Sequence, residues 1–370
     1  MTSSQHTALH AEHEKLGAVF TDFGGWDMPL RYANELNEHR AVREAAGLFD
    51  LSHMGEVRVT GPDAARFLNT ALVGNLAAIA LGKAKYSLIC NEQGGIIDDL
   101  IVYRLAENEF FIVPNASNAP AVVEQFQRIA ENFDVSVTDE THSTSLIAVQ
   151  GPRSVAILAK LVPIEQQETL LNMPYYAAAE VTVAGLHTLA ARTGYTGEDG
   201  FELFVPNAHA VELWSALLTA GQADGLVPAG LASRDSLRLE AGMPLYGNEL
   251  SLQVSPFEAG LGAVVSFKKP EDFVGRKALE QAKDQPLARQ LVGLTSDGRR
   301  AGRAGYTVHA EGREIGSITS GVPSPSLGTP IALAYVEPAF AVVGTEVQVD
   351  LRGKLEPFTV AKLPFYKRQQ

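Results

Sequence analysis

The sequence predicts a multidomain α+β protein that ends in a small all-β barrel or sandwich. The chain has 370 residues, which is more than one ordinary hydrophobic core accommodates. Helical and strand-like patterns are mixed through most of its length. From about Gln290 onward, short strand-like runs are separated by Gly or Pro, which is typical of a compact β domain.

The first elements are predicted from apolar spacing and turn residues. A helix is expected over Leu36–Leu48, with Gly47 as its C-terminal signal, and another over Asp63–Leu72. Between Lys85 and Pro114, the runs KYSLIC, IIDDLIVYRL and EFFIVP are apolar or alternate, and short polar turns separate them. This pattern predicts a three-stranded meander.

The following elements alternate between helix and strand. Helices are predicted over Ala119–Asn132 and Ala208–Ala220, and a third around Leu231. The run SLIAVQ indicates a strand, and Val181–Val205 indicates two strands around a glycine-rich turn. The C-terminal domain is predicted from the strand-like runs LVGLTS, REIGSITS, IALAYVE and TEVQVDL.

Composition excludes several classes of protein. A net charge of −13 without a like-charge block argues against a nucleic-acid-binding surface. The polar start of the chain lacks a secretory signal pattern, and no uncharged apolar run reaches the roughly 18 residues that span a bilayer. A single cysteine, Cys90, lies in an apolar run and is expected to be buried and structural. We therefore expect a cytoplasmic protein that binds neither membrane nor nucleic acid.

Two adjacent carboxylates, Asp98 and Asp99, interrupt the second strand of the meander. Asp is depleted in strands, and successive side chains on a strand point to opposite faces. A solvated pair at the start of a strand is one interpretation. The other is that one carboxylate faces inward and is held beside a bound amine or ring nitrogen.

The stretch RTGYTGEDGFEL, from Arg192 to Leu203, is the second candidate. Its glycines allow the backbone to approach a ligand closely. Glu202 follows this turn and could pair with the donor edge of a guanidine-like heterocycle through two hydrogen bonds. The alternative is that Glu202 is an exposed residue on a surface hairpin.

The charge-dense helix around Leu231 carries Arg234, Asp235, Arg238 and Glu240. These residues could form a surface lattice of ion pairs. Alternatively, the guanidinium group of an arginine could bind a ligand carboxylate through two hydrogen bonds.

The histidines give no metal signal in the sequence. His53 stands beside Met54, but no second His or Cys follows at ligand spacing, so a packed or hydrogen-bonded histidine is expected. None of the nine histidines belongs to a recognisable metal set, and P-loop and GxGxxG motifs are absent from the sequence.

Taken together, these stretches resemble the aminomethyltransferases (T-proteins) of the glycine cleavage system, from about residue 8 to Lys367. The resemblance implies a three-domain, cloverleaf-like α+β arrangement around a central folate cavity. In it, residues 1–280 form an N-terminal folate-binding region of two interleaved α+β domains, and residues 286–370 form the C-terminal β-barrel. The stretches that carry the resemblance are FGGWDMPLRY, HRAVREAAGLFDLSHMGE, GGIIDDLIVYRL, RTGYTGEDGFELFVP, SRDSLRLEAGMPLYGNEL and ITSGVPSPSLGTPIALAYV.

The resemblance also implies a reaction. A lipoyl arm on a transient partner, H-protein, carries an aminomethyl group on sulfur. The enzyme releases ammonia and passes the one-carbon unit to tetrahydrofolate, which becomes 5,10-methylenetetrahydrofolate. Tetrahydrofolate is the acceptor substrate, and no metal is expected.

By the same resemblance, Asp99 is the catalytic carboxylate near the reactive folate nitrogens, and Asp98 points away. A carboxylate there could orient the folate amine, accept a proton or stabilise a developing cation. Glu202 matches the pterin-binding carboxylate. The other residues implied to bind the folate are Met54, Tyr86, Asn115, Tyr175, Tyr195 and Arg234.

Two other functions remain possible on this fold. One is a folate-dependent demethylase that binds a methylated substrate directly. The other is a non-catalytic folate-binding accessory protein for iron–sulfur enzymes. Such accessory proteins typically carry a KGCYxGQE-like stretch, whereas MPLYGNEL stands at the comparable place here, without cysteine. The sequence therefore favours the transferase.

Overall fold

The structure, a computed structural model, describes residues 4–368. The chain forms two compact units. The predicted division into residues 1–280 and 286–370 remains a prediction. The first unit consists of Met1–Ala71, Leu76–Tyr86 and Leu100–Arg234, and the second of Leu72–Asn75, Ser87–Asp99 and Asp235–Gln370.

Helices and strands alternate along most of the chain, and strands dominate its C-terminal part. Within residues 4–368, no helix is long and apolar enough to cross a bilayer. The α-helices are α1 (His10–Lys15), α2 (Glu35–Glu44), α3 (Ala64–Ala71), α4 (Ala119–Ala130), α5 (Ser154–Ala159), α6 (Ile164–Leu171), α7 (Ala210–Gly221), α8 (Leu231–Glu240) and α9 (Arg276–Ala282). The strands are β1 (Val19–Phe23), β2 (Trp26–Arg31), β3 (Ala46–Asp50), β4 (Val57–Thr60), β5 (Lys83–Cys90), β6 (Ile96–Ala106), β7 (Glu109–Val113), β8 (Ser136–Asp139), β9 (Thr144–Gln150), β10 (Ala178–Val183), β11 (Leu186–Ala191), β12 (Gly200–Pro206), β13 (Leu226–Pro228), β14 (Gln290–Thr295), β15 (Thr307–Ala310), β16 (Arg313–Pro323), β17 (Pro330–Val336), β18 (Glu346–Asp350) and β19 (Leu355–Ala361).

A six-stranded sheet in the order β10-β11-β12-β9-β3-β13 organises the first unit. Strands β3 and β13 pair in parallel, and β12 pairs with β9 antiparallel along its whole length. Its inward side chains, among them Ile147 and Phe201, share one core with Trp214 of α7. Burial of this core holds β12 in place, and β12 carries Glu202.

A five-stranded sheet has the order β5-β6-β7-β4-β8. Its first three strands form the predicted meander, which is confirmed. On β6, Asp98, Leu100 and Val102 alternate with less buried residues, as expected for one face of a strand. Helices α3 and α4 pack together through the rings of Phe67 and Phe126, whose centres lie 5.4 Å apart.

The predicted C-terminal β domain is a closed barrel with the strand order β14-β17-β16-β15-β18-β19. Pairing of β14 with β19, for example Leu294 with Val360, completes the closure. The interior is filled by apolar side chains such as Ile318, Val349 and Phe358. Closure leaves the sheet with no free edge, so a small all-β domain avoids edge-to-edge association.

Two predictions of secondary structure are wrong. The helix predicted to reach Leu48 ends at Glu44, and Gly47 lies in strand β3. A Cβ at Gly47 would lie 2.5 Å from Val42 Cγ2, so this glycine permits close helix–strand packing and does not end a helix. Val181–Val205 also contains a further hairpin turn, at Ala184–Gly185, between β10 and β11.

Candidate active site

Glu202 is a buried carboxylate on β12, directly after the glycine-rich turn, and only 9% of its surface is exposed. Its Oε2 accepts hydrogen bonds from the Thr193 hydroxyl and, at 3.3 Å, from the Tyr103 hydroxyl. Burial raises the pKa of Glu202, whereas Thr193, Arg234 and Tyr103 act in the opposite direction. The alternative of an exposed Glu is therefore wrong.

Arg234 lies over the aromatic face of Tyr195 in the glycine-rich turn. The guanidinium carbon is 4.7 Å from the centre of the ring, which is a cation–π distance. The positive charge of Arg234 also offsets part of the rise that burial causes in the pKa of Glu202. Three of the predicted folate-binding residues therefore come together in the first unit.

His53 is almost completely buried, and its ring meets Phe23 edge-on with centres 5.4 Å apart. Burial and the nearby charge of Arg234 lower the pKa of His53 to about 4, although Asp50 acts to raise it. The imidazole is therefore neutral near pH 7. A packed histidine, as predicted, is confirmed.

Met54 and Asn115 belong to two segments that touch. The Gly55 amide donates a hydrogen bond to the Pro114 carbonyl at 3.0 Å. A Cβ at Gly55 would lie 2.6 Å from the Cβ of Ala119, so only glycine lets these segments approach so closely. Both predicted residues are partly exposed and therefore accessible to a ligand.

Tyr86 and Tyr175 also come from touching segments of the first unit. The Ala84 amide on β5 donates to the Tyr176 carbonyl at 2.9 Å. Tyr175 is 42% exposed, and its ring meets the Tyr176 ring edge-on, with centres 5.0 Å apart. An aromatic side chain with this exposure is accessible to a ligand ring.

The two adjacent carboxylates differ in burial. Asp98 is completely buried, and Asp99 is partly exposed. A solvated pair is therefore wrong, because Asp98 is enclosed by the protein. Strand alternation places Asp99 on the same face of β6 as Tyr103.

Tyr246 is a neighbour of this pair that sequence analysis did not single out. Its hydroxyl donates to the Ile96 carbonyl at 3.2 Å. Burial and the charges of Asp98 and Asp99 raise the pKa of Tyr246. Tyr246 lies in MPLYGNEL, within one of the stretches that carry the resemblance, and this position could have identified it as a site candidate.

Arg238, one turn after Arg234 on α8, has a different environment. Its side chain is 1% exposed, and it pairs with Asp235 and Glu249. It also donates to the Ser320 hydroxyl at 2.8 Å. A surface lattice of ion pairs is therefore wrong for Arg238, which holds the second unit together.

Cys90 is completely buried, and burial raises the pKa of its thiol to about 12. A thiol with this pKa is not a nucleophile near neutral pH, so the prediction of a structural cysteine is confirmed.

Comparison with known proteins agrees with this fold. The family described as "GCVT N-terminal domain" matches residues 9–269, and "Glycine cleavage T-protein C-terminal barrel domain" matches residues 289–367. The aminomethyltransferase of Streptomyces coelicolor is 58% identical over 373 residues, covering 100% of this chain and 99% of that protein. The aminomethyltransferase of Corynebacterium aurimucosum is 54% identical over 371 residues, covering 100% of both.

The fold also has a solved counterpart. The crystal structure of the glycine cleavage system aminomethyltransferase T from Bartonella henselae has a TM-score of 0.91 and 39% identity, and 99% of each chain is covered. Fold and sequence together define a T-protein with its C-terminal barrel. The chain belongs to the aminomethyltransferase family of the glycine cleavage system, a family that uses tetrahydrofolate, and it is an enzyme of that activity.

Proposed function

We propose that this enzyme takes the aminomethyl group from the lipoyl arm of H-protein and transfers its carbon to tetrahydrofolate. The carbon–sulfur bond and the bond to the departing amine are broken. Two bonds to folate nitrogens replace them, so that ammonia, dihydrolipoyl H-protein and 5,10-methylenetetrahydrofolate are the products. The single, buried Cys90 fits a reducing cytoplasm as the place of reaction.

The observation that carries this proposal is the buried carboxylate of Glu202. An acceptor with two oxygens suits the amide and amine donors at the edge of a pterin ring. Thr193 and Tyr103 hold one oxygen and so fix the orientation of the carboxylate. Arg234 keeps the carboxylate more easily ionised than burial alone would allow, and the ionised form is the one that accepts both hydrogen bonds.

We assign the shape and polarity of the folate site to the remaining predicted residues. Tyr195 is held by Arg234, so its ring has a fixed orientation. Tyr175 offers an exposed aromatic surface for the ligand. Met54, Tyr86 and Asn115 are partly exposed and lie in segments that backbone hydrogen bonds fix in place.

Asp99 is the residue to which we assign the proton chemistry. It is partly exposed, whereas Asp98 is completely buried, so Asp99 is the member of the pair that a substrate can reach. A preorganised carboxylate can orient a folate amine, accept its proton and stabilise the positive charge that develops as ammonia leaves.

The test is an assay of ammonia release from aminomethylated H-protein, with tetrahydrofolate present and absent. Rapid release that requires both proteins and tetrahydrofolate is expected. If an N-methylated amine were consumed in place of the lipoyl substrate, the demethylase function would replace this proposal. Folate binding without any transfer would instead favour the accessory protein.

A further inference from the structure

Three potential metal ligands converge near the start of the first unit, although sequence spacing predicts no metal set. The donor atoms of His6, His10 and Asp27 all lie within 4.8 Å of one another. Asp27 Oδ2 is 4.0 Å from His6 Nε2 and 4.0 Å from His10 Nδ1. Two bonds of about 2 Å to one ion span separations of up to about 4 Å. The three donor atoms therefore reach bonding distance once the stacked imidazole rings of His6 and His10 rotate towards a common point.

Backbone pairing brings these side chains together. The Gln5 amide donates to the Gly25 carbonyl at 2.9 Å, and the Asp27 amide donates to the Gln5 carbonyl at 2.8 Å. This bridge holds His6 beside strand β2, and His10 follows as the first residue of α1. The imidazole rings of His6 and His10 are stacked 3.8 Å apart, with an interplanar angle of 12°. The backbone pairing of the folded protein therefore keeps the three side chains close together.

One ring nitrogen of His10 is available to bind a metal ion. Its Nδ1 is buried and has no hydrogen-bond partner among the described residues. Leaving a buried ring nitrogen without a partner costs stability. The other ring nitrogen, Nε2, faces Glu14 Oε1 at 3.9 Å. Metal-bound histidines commonly direct their second nitrogen towards a carboxylate in this way.

We infer that His6, His10 and Asp27 bind one divalent cation of borderline softness, for which Zn²⁺ is the probe. Two imidazoles and a carboxylate suit Zn²⁺ better than Mg²⁺ or Ca²⁺, which prefer oxygen ligands. The His6 side chain is 53% exposed, so water can complete the coordination. None of the three residues belongs to the proposed folate or catalytic set. The ion would therefore fasten the N-terminal segment to the β1–β2 hairpin.

The test is isothermal titration of the full-length, chelator-treated protein with Zn²⁺. Wild type should bind a single equivalent, and Zn²⁺ should raise its melting temperature because the ion binds the folded state. The separate substitutions Asp27→Asn and His6→Gln should each weaken the affinity by about tenfold or more and reduce the thermal shift. Both side chains are at least partly exposed, so the variants should fold.

His187→Gln is the matched control, because His187 is an exposed histidine that also faces a carboxylate, Glu180, at 3.4 Å. It should bind Zn²⁺ like wild type. The inference is wrong if wild type shows no saturable binding, or if Asp27→Asn and His6→Gln both keep wild-type affinity. Aminomethyl transfer, measured on the same variants, tests the proposed function separately.

Discussion

The guanidinium carbon of Arg234 lies 4.7 Å from the centre of the Tyr195 ring, and the charge of the same arginine offsets part of the rise that burial causes in the pKa of Glu202. Arg234 therefore acts on the site in two ways. It fixes an aromatic ring in the glycine-rich turn, and it favours the ionised form of the carboxylate that we assign to the pterin. These two effects can be separated by substitution.

Arg234→Gln should weaken tetrahydrofolate binding roughly five- to thirtyfold, because a cation–π contact alone contributes about 1–2 kcal/mol when it is desolvated. Arg234→Lys keeps the charge and should lose less. Removing the charge raises the pKa of Glu202. As the pH is lowered, Glu202 should therefore become protonated, and folate binding should weaken, at a higher pH in Arg234→Gln than in wild type. Calorimetric titration with folate as a function of pH measures both effects. Equal acid-side midpoints for wild type and Arg234→Gln would contradict this electrostatic role.

Asp99→Asn should leave the fold intact and slow transfer on the order of 10²-fold or more, because it removes a preorganised charge from a developing cation. Asp98→Asn should instead lower thermal stability, since Asp98 is completely buried and the substitution changes its buried polar contacts. Single-turnover rates and melting curves of both variants measure these effects. Activity lost in Asp98→Asn but kept in Asp99→Asn, at equal stability, would reverse the assignment.

Glu202→Gln should weaken tetrahydrofolate binding by roughly 1–3 kcal/mol, the range for leaving a buried donor unpaired. Gln offers one acceptor oxygen, and its NH₂ group would face another donor. Glu180→Gln, at an exposed carboxylate on the same sheet, is the control and should bind folate normally. Calorimetry measures both affinities, and unchanged affinity in Glu202→Gln would remove this residue from the site.

Periodicity and turn residues predicted the meander and the C-terminal barrel, because both depend on short-range patterns. The error at Gly47 has a different origin. Its sequence context resembles a helix C-terminus, but pairing of β3 with β9 and β13 fixes its conformation. These partners are distant in the sequence, so no local signal reports them.

The candidate site shows the same limit. Strand alternation establishes that Asp98 and Asp99 point to opposite faces of β6, but it does not show which face is buried. The burial of Glu202 likewise depends on Tyr103, which is 99 residues away in the sequence. Sequence spacing did not reveal the three metal-ligand candidates, because Asp27 comes close to the two histidines only through the pairing of Gln5 with Trp26.

Glu56 should make the protein less stable as the pH rises above about 4.5. Among the described residues, neither of its carboxyl oxygens has a hydrogen-bond partner. Burial, reinforced by Asp139, Glu140 and Asp50, raises its pKa well above 4.5. The folded state therefore keeps a proton that the unfolded state has lost, and stability falls with increasing pH across that window, by about 1.4 kcal/mol for each unit of pKa difference.

Glu56→Gln should remove this dependence, because an amide does not titrate. The measurement is the free energy of unfolding by urea between pH 4 and pH 8. As the pH rises, the free energy of unfolding of Glu56→Gln should increase relative to that of wild type. Glu124→Gln, at an exposed position on α4, should follow the wild-type curve. Parallel curves for wild type and Glu56→Gln would show that Glu56 is ionised in the folded protein.

The barrel carries a basic cluster that we predict to contact H-protein. Arg299, Arg300, Arg303 and Arg352 line an open cavity of about 430 Å³ on a chain of net charge −13. Arg303 and Arg352 are anchored by hydrogen bonds to the Gly321 carbonyl and the Tyr306 hydroxyl, respectively. Charges on the rim of an interface mainly accelerate encounter, and this effect decreases with ionic strength.

The double substitution Arg299→Glu and Arg300→Glu should therefore lower kcat/KM for aminomethylated H-protein on the order of tenfold at low salt. The difference from wild type should shrink as salt increases. Free aminomethyl-lipoamide does not use the partner surface, so its slower reaction should be unaffected by the substitutions. Arg128→Glu, an exposed reversal on α4, is the control and should leave both reactions unchanged. If the double substitution slowed both substrates equally, the cluster would affect the enzyme itself, and H-protein would have to dock elsewhere.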